Sequence, residues 1–138
     1  MTTGGYELRT ELADMDFDRI HPWLSTDAYW AMGRTRETID TAARNSLNFG
    51  IFTSEAQQVA YARVLTDHAN FGWLADVYVD RDHRGHGVGR MLVDAVMEHL
   101  EPIGLSRILL ATRDAHEVYA RVGFEPLPQP EIFMIRST

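Results

Sequence analysis

The chain has no cysteine and no lysine. The first absence excludes a disulfide framework, a thiolate metal site and a cysteine nucleophile. The second excludes Schiff-base catalysis and the phosphate-binding P-loop, whose Gly-Lys-Ser/Thr end needs the amine. Also missing is any apolar run near the roughly 18 residues that span a bilayer. The N-terminal "MTTGGYELRT" lacks the charged-then-apolar order of a secretory signal. No membrane partner and a cytoplasmic location are therefore expected. Positive charge is scarce: 13 basic residues, all arginine, stand against 20 acidic ones, a formal net charge of -7. A phosphate polymer would meet net repulsion, which argues against nucleic acid as a partner. A small anion at a local arginine cluster is still compatible.

What is present has the balance of a globular protein, 45% hydrophobic and 24% charged, and 138 residues fit one domain over 1–138. "GYELRTEL" (5–12) reads as a strand, after which Pro22 interrupts any continuous element. "STDAYWAMG" (25–33) reads as a short helix capped by Ser25 or Thr26 and ended at Gly33, and "TRETIDTAARNS" (35–46) as a second helix opened by Thr35. "LNFGIFT" (47–53) and "VAYARVLTD" (59–67) flank the polar "SEAQQ" in a hairpin pattern, and "FGWLADVYVD" (71–80) is a further strand. Val88, Met91, Leu92, Ala95, Val96 and Leu100 share one helical face that Pro102 and Gly104 terminate. "SRILLAT" (106–112) predicts a central strand. Asp114 and Glu117 form a capping-box-like start to a short helix with Tyr119 inward and Gly123 at its end, and "FEPL" and "IFMIRS" predict two last strands. This order predicts an α/β domain around a mixed sheet.

Between the strand over 71–80 and the helix after it lies "DRDHRGHGVGR", with glycine at 85, 87 and 89 and arginine at 81, 84 and 90. A glycine-rich turn opening a helix gathers free backbone N–H groups at the positive end of the helix dipole, an arrangement suited to a pyrophosphate. The dinucleotide fingerprint Gly-x-Gly-x-x-Gly does not fit, because these glycines are spaced by two.

The run Arg84-Gly85-His86-Gly87-Val88-Gly89 resembles the Arg/Gln-x-x-Gly-x-Gly/Ala signature of the GNAT superfamily of acetyl-CoA-dependent N-acetyltransferases. "AHEVYARVGF" is similar to that family's later helix, with a tyrosine four residues before a Gly-Phe pair. The resemblance covers about residues 6 to 136. It implies a GNAT-like acyl-CoA N-acyltransferase fold, a central, mostly antiparallel mixed sheet flanked by about four helices. Acetyl-CoA is the implied cosubstrate, and no metal is called for. Val77, Tyr78 and Val79 would offer backbone groups to the pantetheine arm, and Arg84, Gly85, His86, Gly87, Val88, Gly89 and Arg90 would wrap the pyrophosphate. Thr112 stands where many relatives carry an asparagine beside the cofactor. A homodimer is a candidate assembly, since members of the superfamily commonly pair.

The implied reaction is direct attack of a primary amine of a small molecule on the acetyl thioester through a tetrahedral intermediate. An alkyl amine has a pKa near ~10.4, so a base or a water chain must take its proton. Tyr119 is the implied general acid for the leaving sulfur. Asp76 is one candidate base, although strand alternation points it away from the face of Ala75 unless a bulge intervenes; His68 is another, and a water relay is a third. Trp23, Tyr29, Trp30 and Trp73 are candidates for an aromatic acceptor pocket, which in an acidic protein would suit a cationic amine. Two other readings stay open: an acyl-CoA-binding module without transfer activity, since Trp73 and Ala75 stand where relatives place acidic or basic side chains, and a protein or peptide N-acetyltransferase.

Overall fold

A computed structural model describes residues 2–138. Its six strands lie in one sheet in chain order: β1 (Thr2–Thr3), β2 (Tyr6–Arg9), β3 (Leu47–Thr53), β4 (Gln58–Thr66), β5 (Phe71–Val79) and β6 (Arg107–Leu109). Neighbours are antiparallel except β5 and β6, which run parallel. Helices α1 (Phe17–Thr26) and α2 (Arg36–Arg44) cover one face, while α3 (Val88–Leu100) and the short α4 (His116–Ala120) cover the other.

The long helix and the hairpin follow from periodicity. On α3, Val88, Leu92, Val93, Ala95, Val96 and Leu100 are buried, and they pack on Phe49, Ile51, Val59, Ala62, Val64 and Leu74 of the sheet. On the opposite face Ile20, Leu24, Ala28 and Ile39 pack on Phe52, Tyr61 and Tyr78. Polar ties fix α1 and α2 to the sheet. Gln58 accepts from the Asp16 N–H at 2.7 Å, and Asn48 donates to the Ala43 carbonyl at 2.8 Å while accepting the Tyr61 hydroxyl proton. Thr35 caps α2 by accepting from the Thr38 N–H, as its position predicts.

Three elements differ from the sequence expectation. The first helix lies over 17–26 and contains Pro22, rather than over 25–33. Asp16 supplies its cap, and Ile20 and Leu24, four apart, bury a face whose gain exceeds the cost of one missing hydrogen bond. The carbonyl that Pro22 leaves without its helical partner belongs to exposed Asp18, where water can serve it. Residues 27–33 instead form a turn, drawn back by the Gly33 N–H on the Ser25 carbonyl at 2.9 Å. The 106–112 run contributes only three residues of strand, and they lie at the edge of the sheet, not its centre. The "FEPL" and "IFMIRS" segments form no strand; after α4 only a single 3-10 turn appears, at Pro130–Ile132. A strand needs a partner, and neither segment pairs with any of the described strands.

Candidate active site

The site is set by a break in β5. Tyr61 pairs with Tyr78 and Arg63 with Ala75, so two residues of β5, Asp76 and Val77, stand against Ala62 alone. Asp76 takes φ 55°, the left-handed conformation that aspartate tolerates better than most side chains. The bulge reverses the alternation. Leu74 and Val77, three apart, both face α3, while Asp76 and Tyr78 face α1 and the turn after it. The parallel ladder to β6 ends at Trp73–Leu109. Beyond that point the edge of β5 through Val79 and the segment Leu110–Thr112 are unpaired with each other, and an extended ligand can lie between them.

The turn after β5 closes one end of this slot. Asp80 starts it by accepting from the Asp82 N–H, and the Tyr6 hydroxyl and His83 Nδ1 tie it to β2 at 3.0 Å. Gly85 and Gly87 both take positive φ, 82° and 79°, which side-chain-bearing residues rarely adopt. Gly87 is the N-cap of α3 and provides no side-chain cap, so the first N–H groups of the helix, from Val88 to Arg90, have no intrahelical partner. A Cβ built at Gly85 or Gly87 meets nothing within 4 Å, so space for an anion lies directly against the backbone. These features fit a pyrophosphate. The Val88 side chain itself is core, and only its amide faces the turn.

The arginines of the turn do not all serve it. Asp27 binds the Arg81 guanidinium through both oxygens, accepts the Tyr78 hydroxyl at 2.6 Å and meets Arg84 at 3.4 Å. The hydrogen bonds from Arg81 and Tyr78 hold the Asp27 carboxyl far below the usual carboxylate range. Arg84 also donates from Nε to the Val79 carbonyl at 2.9 Å, so it braces the end of β5. Arg90 is exposed and makes no ion pair among the described residues; with the backbone amides it supplies the available positive potential. Asp27 was not foreseen, and contacts across 51 to 57 residues leave no local sequence signal.

Asp76 is nearly buried and its carboxylate is fully engaged. Trp30 Nε1 donates to one oxygen at 2.8 Å; Arg34 at 2.8 Å and Arg63 at 2.7 Å hold the other. Burial works against its charged form, but Arg63, then Arg34 and Trp30, more than offset this and hold the carboxyl below its ordinary value. A carboxylate clamped by two guanidiniums is a poor proton acceptor, and it offers no free negative charge to a cationic amine. The expectation of Asp76 as base is therefore replaced by a positioning role, fixing Trp30 and the 27–34 segment to the bulge. His68 fares no better: it is exposed in the β4–β5 turn, and Phe71 to Asp76 alone is about 16 Å of strand.

Across the slot stands Tyr119, 9% exposed, packed edge-on against Phe124 at 6.0 Å. Its hydroxyl has no hydrogen-bond partner among the described residues and, since no buried polar atom is left unpartnered, it is accessible to solvent; the residue lines a groove with Leu110–Thr112. Burial, with smaller contributions from Tyr29 and Asp114, pushes its pKa up to about 12. Tyr29 reaches over from the turn after α1: its hydroxyl accepts the Arg113 N–H at 2.7 Å, and its ring lies under the Arg113 guanidinium. Trp30 packs edge-on against Tyr29 at 5.0 Å. Trp73 ends the β5–β6 ladder at the apex of the slot. Trp23 is instead stacked on Tyr78 at 5.4 Å, against the core beneath α1. The Thr112 hydroxyl accepts from the Ala115 N–H at 3.1 Å and so turns the chain into α4. Among the described residues no three His, Asp or Glu side chains are grouped to hold a metal, and no helix is long and apolar enough to cross a membrane.

A mixed sheet whose β5–β6 ladder stops at Trp73, with a glycine turn of free backbone amides following β5, is an arrangement that can seat an extended ligand with an anionic end. The profile of the acetyltransferase (GNAT) family matches residues 15–124, and the chain belongs to that family. It is 42% identical to a protein of Xanthomonas campestris pv. campestris assigned as an acetyltransferase of the GNAT family, whose crystal structure superposes with a TM-score of 0.91 over 96% of this chain and 93% of that one. A Gibberella zeae protein assigned as an acetyltransferase, without a stated substrate, is 30% identical over 87% of this chain and 78% of its own length. At 18% identity, the N-acetylglutamate synthase of Neisseria gonorrhoeae, solved with coenzyme A and N-acetyl-glutamate, shares the fold with a TM-score of 0.71 over 90% of this chain and 29% of that one. GNAT enzymes use an acyl-CoA and an acceptor, and this chain is such an acetyltransferase.

Proposed function

We propose that the protein transfers the acetyl group of acetyl-CoA to a primary amine of a small molecule, and that the amine loses its proton to water rather than to a side chain. The observation that carries this reading is the slot itself: an unpaired edge of β5 leading from Trp73 to the amides of the Gly85–Arg90 turn. Acetyl-CoA supplies an activated thioester. Gly85 and Gly87, with the amides of Val88, Gly89 and Arg90, would hold its pyrophosphate, and the edge of Val77–Val79 would orient the pantetheine arm. His86 is exposed beside them, and its backbone would join the same turn. A backbone N–H of the same edge would stabilise the oxygen that becomes negative as the amine adds.

Tyr119 would donate a hydrogen bond to the departing sulfur. With its pKa near 12 against about 8.5 for a thiol, full proton transfer is uphill by about 5 kcal/mol, so it acts as a donor and does not become a phenolate. Tyr29, Trp30 and Trp73 would enclose the acceptor, with the crossing of Tyr29 to Arg113 favouring a small molecule over an extended peptide. Thr112 would contribute by setting the α4 turn beneath Tyr119. Thiol release from acetyl-CoA across a panel of small amines and short peptides tests this reading. Turnover with small amines is expected; turnover with peptides alone would favour a protein acetyltransferase, and binding without turnover an acyl-CoA-binding module.

A further inference from the structure

Around Asp76 the positive charges outnumber the negative ones. Arg34 and Arg63 both bind its Oδ2, at 2.8 and 2.7 Å, while Trp30 Nε1 occupies Oδ1. The side chains of Arg34, Arg63 and Asp76 are only 23%, 13% and 3% exposed. Among the described residues no second carboxylate pairs with either guanidinium, so one positive charge is left unmatched in a largely dehydrated cluster. Held away from bulk water, such a charge is costly unless an anion comes to it. The guanidiniums also have free N–H groups. Arg34 uses only Nη1, and Arg63 uses Nε on Asp76 and Nη1 on the Ser46 hydroxyl at 3.2 Å. Nε and Nη2 of Arg34 and Nη2 of Arg63 have no partner among the described residues, and since no buried polar atom is left unpartnered, they reach solvent. The cluster borders the proposed acceptor end. Trp30 packs on Tyr29 at 5.0 Å, and Asp76 sits at the bulge one residue before the Val77–Val79 edge, all of which lies within roughly 10 Å of it at about 3.4 Å per residue.

We propose that the acceptor carries a carboxylate as well as its primary amine, and that Arg34 and Arg63 bind this carboxylate beside Trp30. The identity of the acceptor rests on the reading of the protein as an N-acetyltransferase of small amines; the anion site itself does not. Guanidinium N–H groups are matched in geometry to carboxylate oxygens, and a single carboxylate balances the one unmatched charge, whereas a phosphate monoester brings nearly two. Anchored there, the molecule presents its amine, a few carbon atoms away, to the thioester. The N–C bond forms as the C–S bond breaks, giving an N-acetylated amino acid and coenzyme A, and the amine's proton passes to water. Asp76, engaged on both oxygens, is thus no counter-ion for an ammonium; it holds the two arginines that select the acceptor's other end.

Initial rates with β-alanine and 4-aminobutyrate are compared with those for ethylamine and propylamine, the same molecules without the carboxylate, and with O-phosphoethanolamine. The carboxylated amines should exceed their partners at least tenfold in kcat/KM, chiefly through KM. Arg34→Gln should cut that ratio at least tenfold, and Arg34→Lys, which keeps the charge, should retain most of it, with thermal melts showing that both variants fold. In a second measurement propionate, a carboxylate with no amine, should raise the Tm of the unmodified chain above that in sodium chloride of equal concentration, and should not raise that of Arg34→Gln. Equal or better turnover of ethylamine and propylamine, or a ratio untouched by Arg34→Gln, would overturn the inference with the acetyltransferase reading intact. A preference for O-phosphoethanolamine would overturn the carboxylate in favour of a phosphate. Turnover of none of the five would count against the small-amine reading instead, and the propionate melts alone would then uphold or overturn the anion site.

Discussion

The hydroxyl of Tyr29 accepts the backbone N–H of Arg113 at 2.7 Å, joining the turn after α1 to the loop before α4, 84 positions apart in the chain. This contact bridges the slot that opens where the β5–β6 ladder stops. It makes the proposed acceptor end of the site depend on a segment with no regular structure. Tyr29→Phe removes the acceptor, while the exposed Arg113 amide can turn to water, so little stability is lost. The expected result is a several-fold fall in kcat/KM for the amine with the KM for acetyl-CoA unchanged, read from initial rates with each substrate varied in turn.

Tyr119→Phe keeps the ring and its contact with Phe124 and removes only the hydroxyl. Turnover should fall about 10²-fold, with acetyl-CoA affinity by calorimetry nearly unchanged. Since the phenol is pushed up to about 12, it stays protonated at every pH at which the protein is assayed. The pH–rate profile of the unmodified enzyme below about 10 should therefore carry no alkaline limb from this group. An equal loss of affinity and turnover would assign Tyr119 to packing.

Gly87 and Gly89 should respond differently. Gly87→Ala forces a side chain into a left-handed conformation, which costs about 1–2 kcal/mol and lowers Tm by roughly 5 °C, with weaker acetyl-CoA binding as the turn relaxes. Gly89 lies within α3, and an added Cβ would sit 3.5 Å from Val79 Cγ2, an ordinary contact. Gly89→Ala should leave Tm unchanged or raised while weakening acetyl-CoA at least tenfold, if the pyrophosphate lies against this amide as proposed. Thermal melts and calorimetry on the two variants separate the effects.

Asp76→Asn leaves Arg34 and Arg63 facing each other without their counter-charge and should destabilise the fold by about 3 kcal/mol, roughly 10 °C in Tm. The carboxyl's folded pKa is lowered, so its contribution is fully present above the unfolded value near 3.9 and is lost as pH falls through the lower folded value. The stability gap between the two proteins should thus be flat from pH 5 to 8 and shrink below about pH 4. A variant that is as stable as the parent but loses only the acidic limb of the rate profile would restore Asp76 as base.

Much of the scaffold can be read from local pattern. Alternation around "SEAQQ" and "FGWLADVYVD" places β3, β4 and β5, the spacing from Val88 to Leu100 places α3, and Thr35 marks the start of α2. The glycine turn was legible because its chemistry is concentrated in consecutive residues. The displaced α1 was not, since Pro22 outweighs Ile20 and Leu24 until the sheet they pack against is known. The engagements of Asp27 and Asp76 were equally hidden: each depends on residues brought from more than 40 positions away, Tyr78 and Arg81 for one, Trp30 and Arg34 for the other. Local periodicity could mark the final strand sequence, and it had no means of saying that the chain's own sheet leaves it unpaired.

The bulge at Asp76 also constrains how this gene can change. Deleting one residue between Leu74 and Val77 would restore plain alternation along β5 and let its ladder with β6 continue past Leu109, erasing the split in which the cosubstrate is proposed to lie. Substitutions around the slot adjust the reaction by degrees, whereas a single codon lost here would leave a better-formed sheet with nowhere to bind.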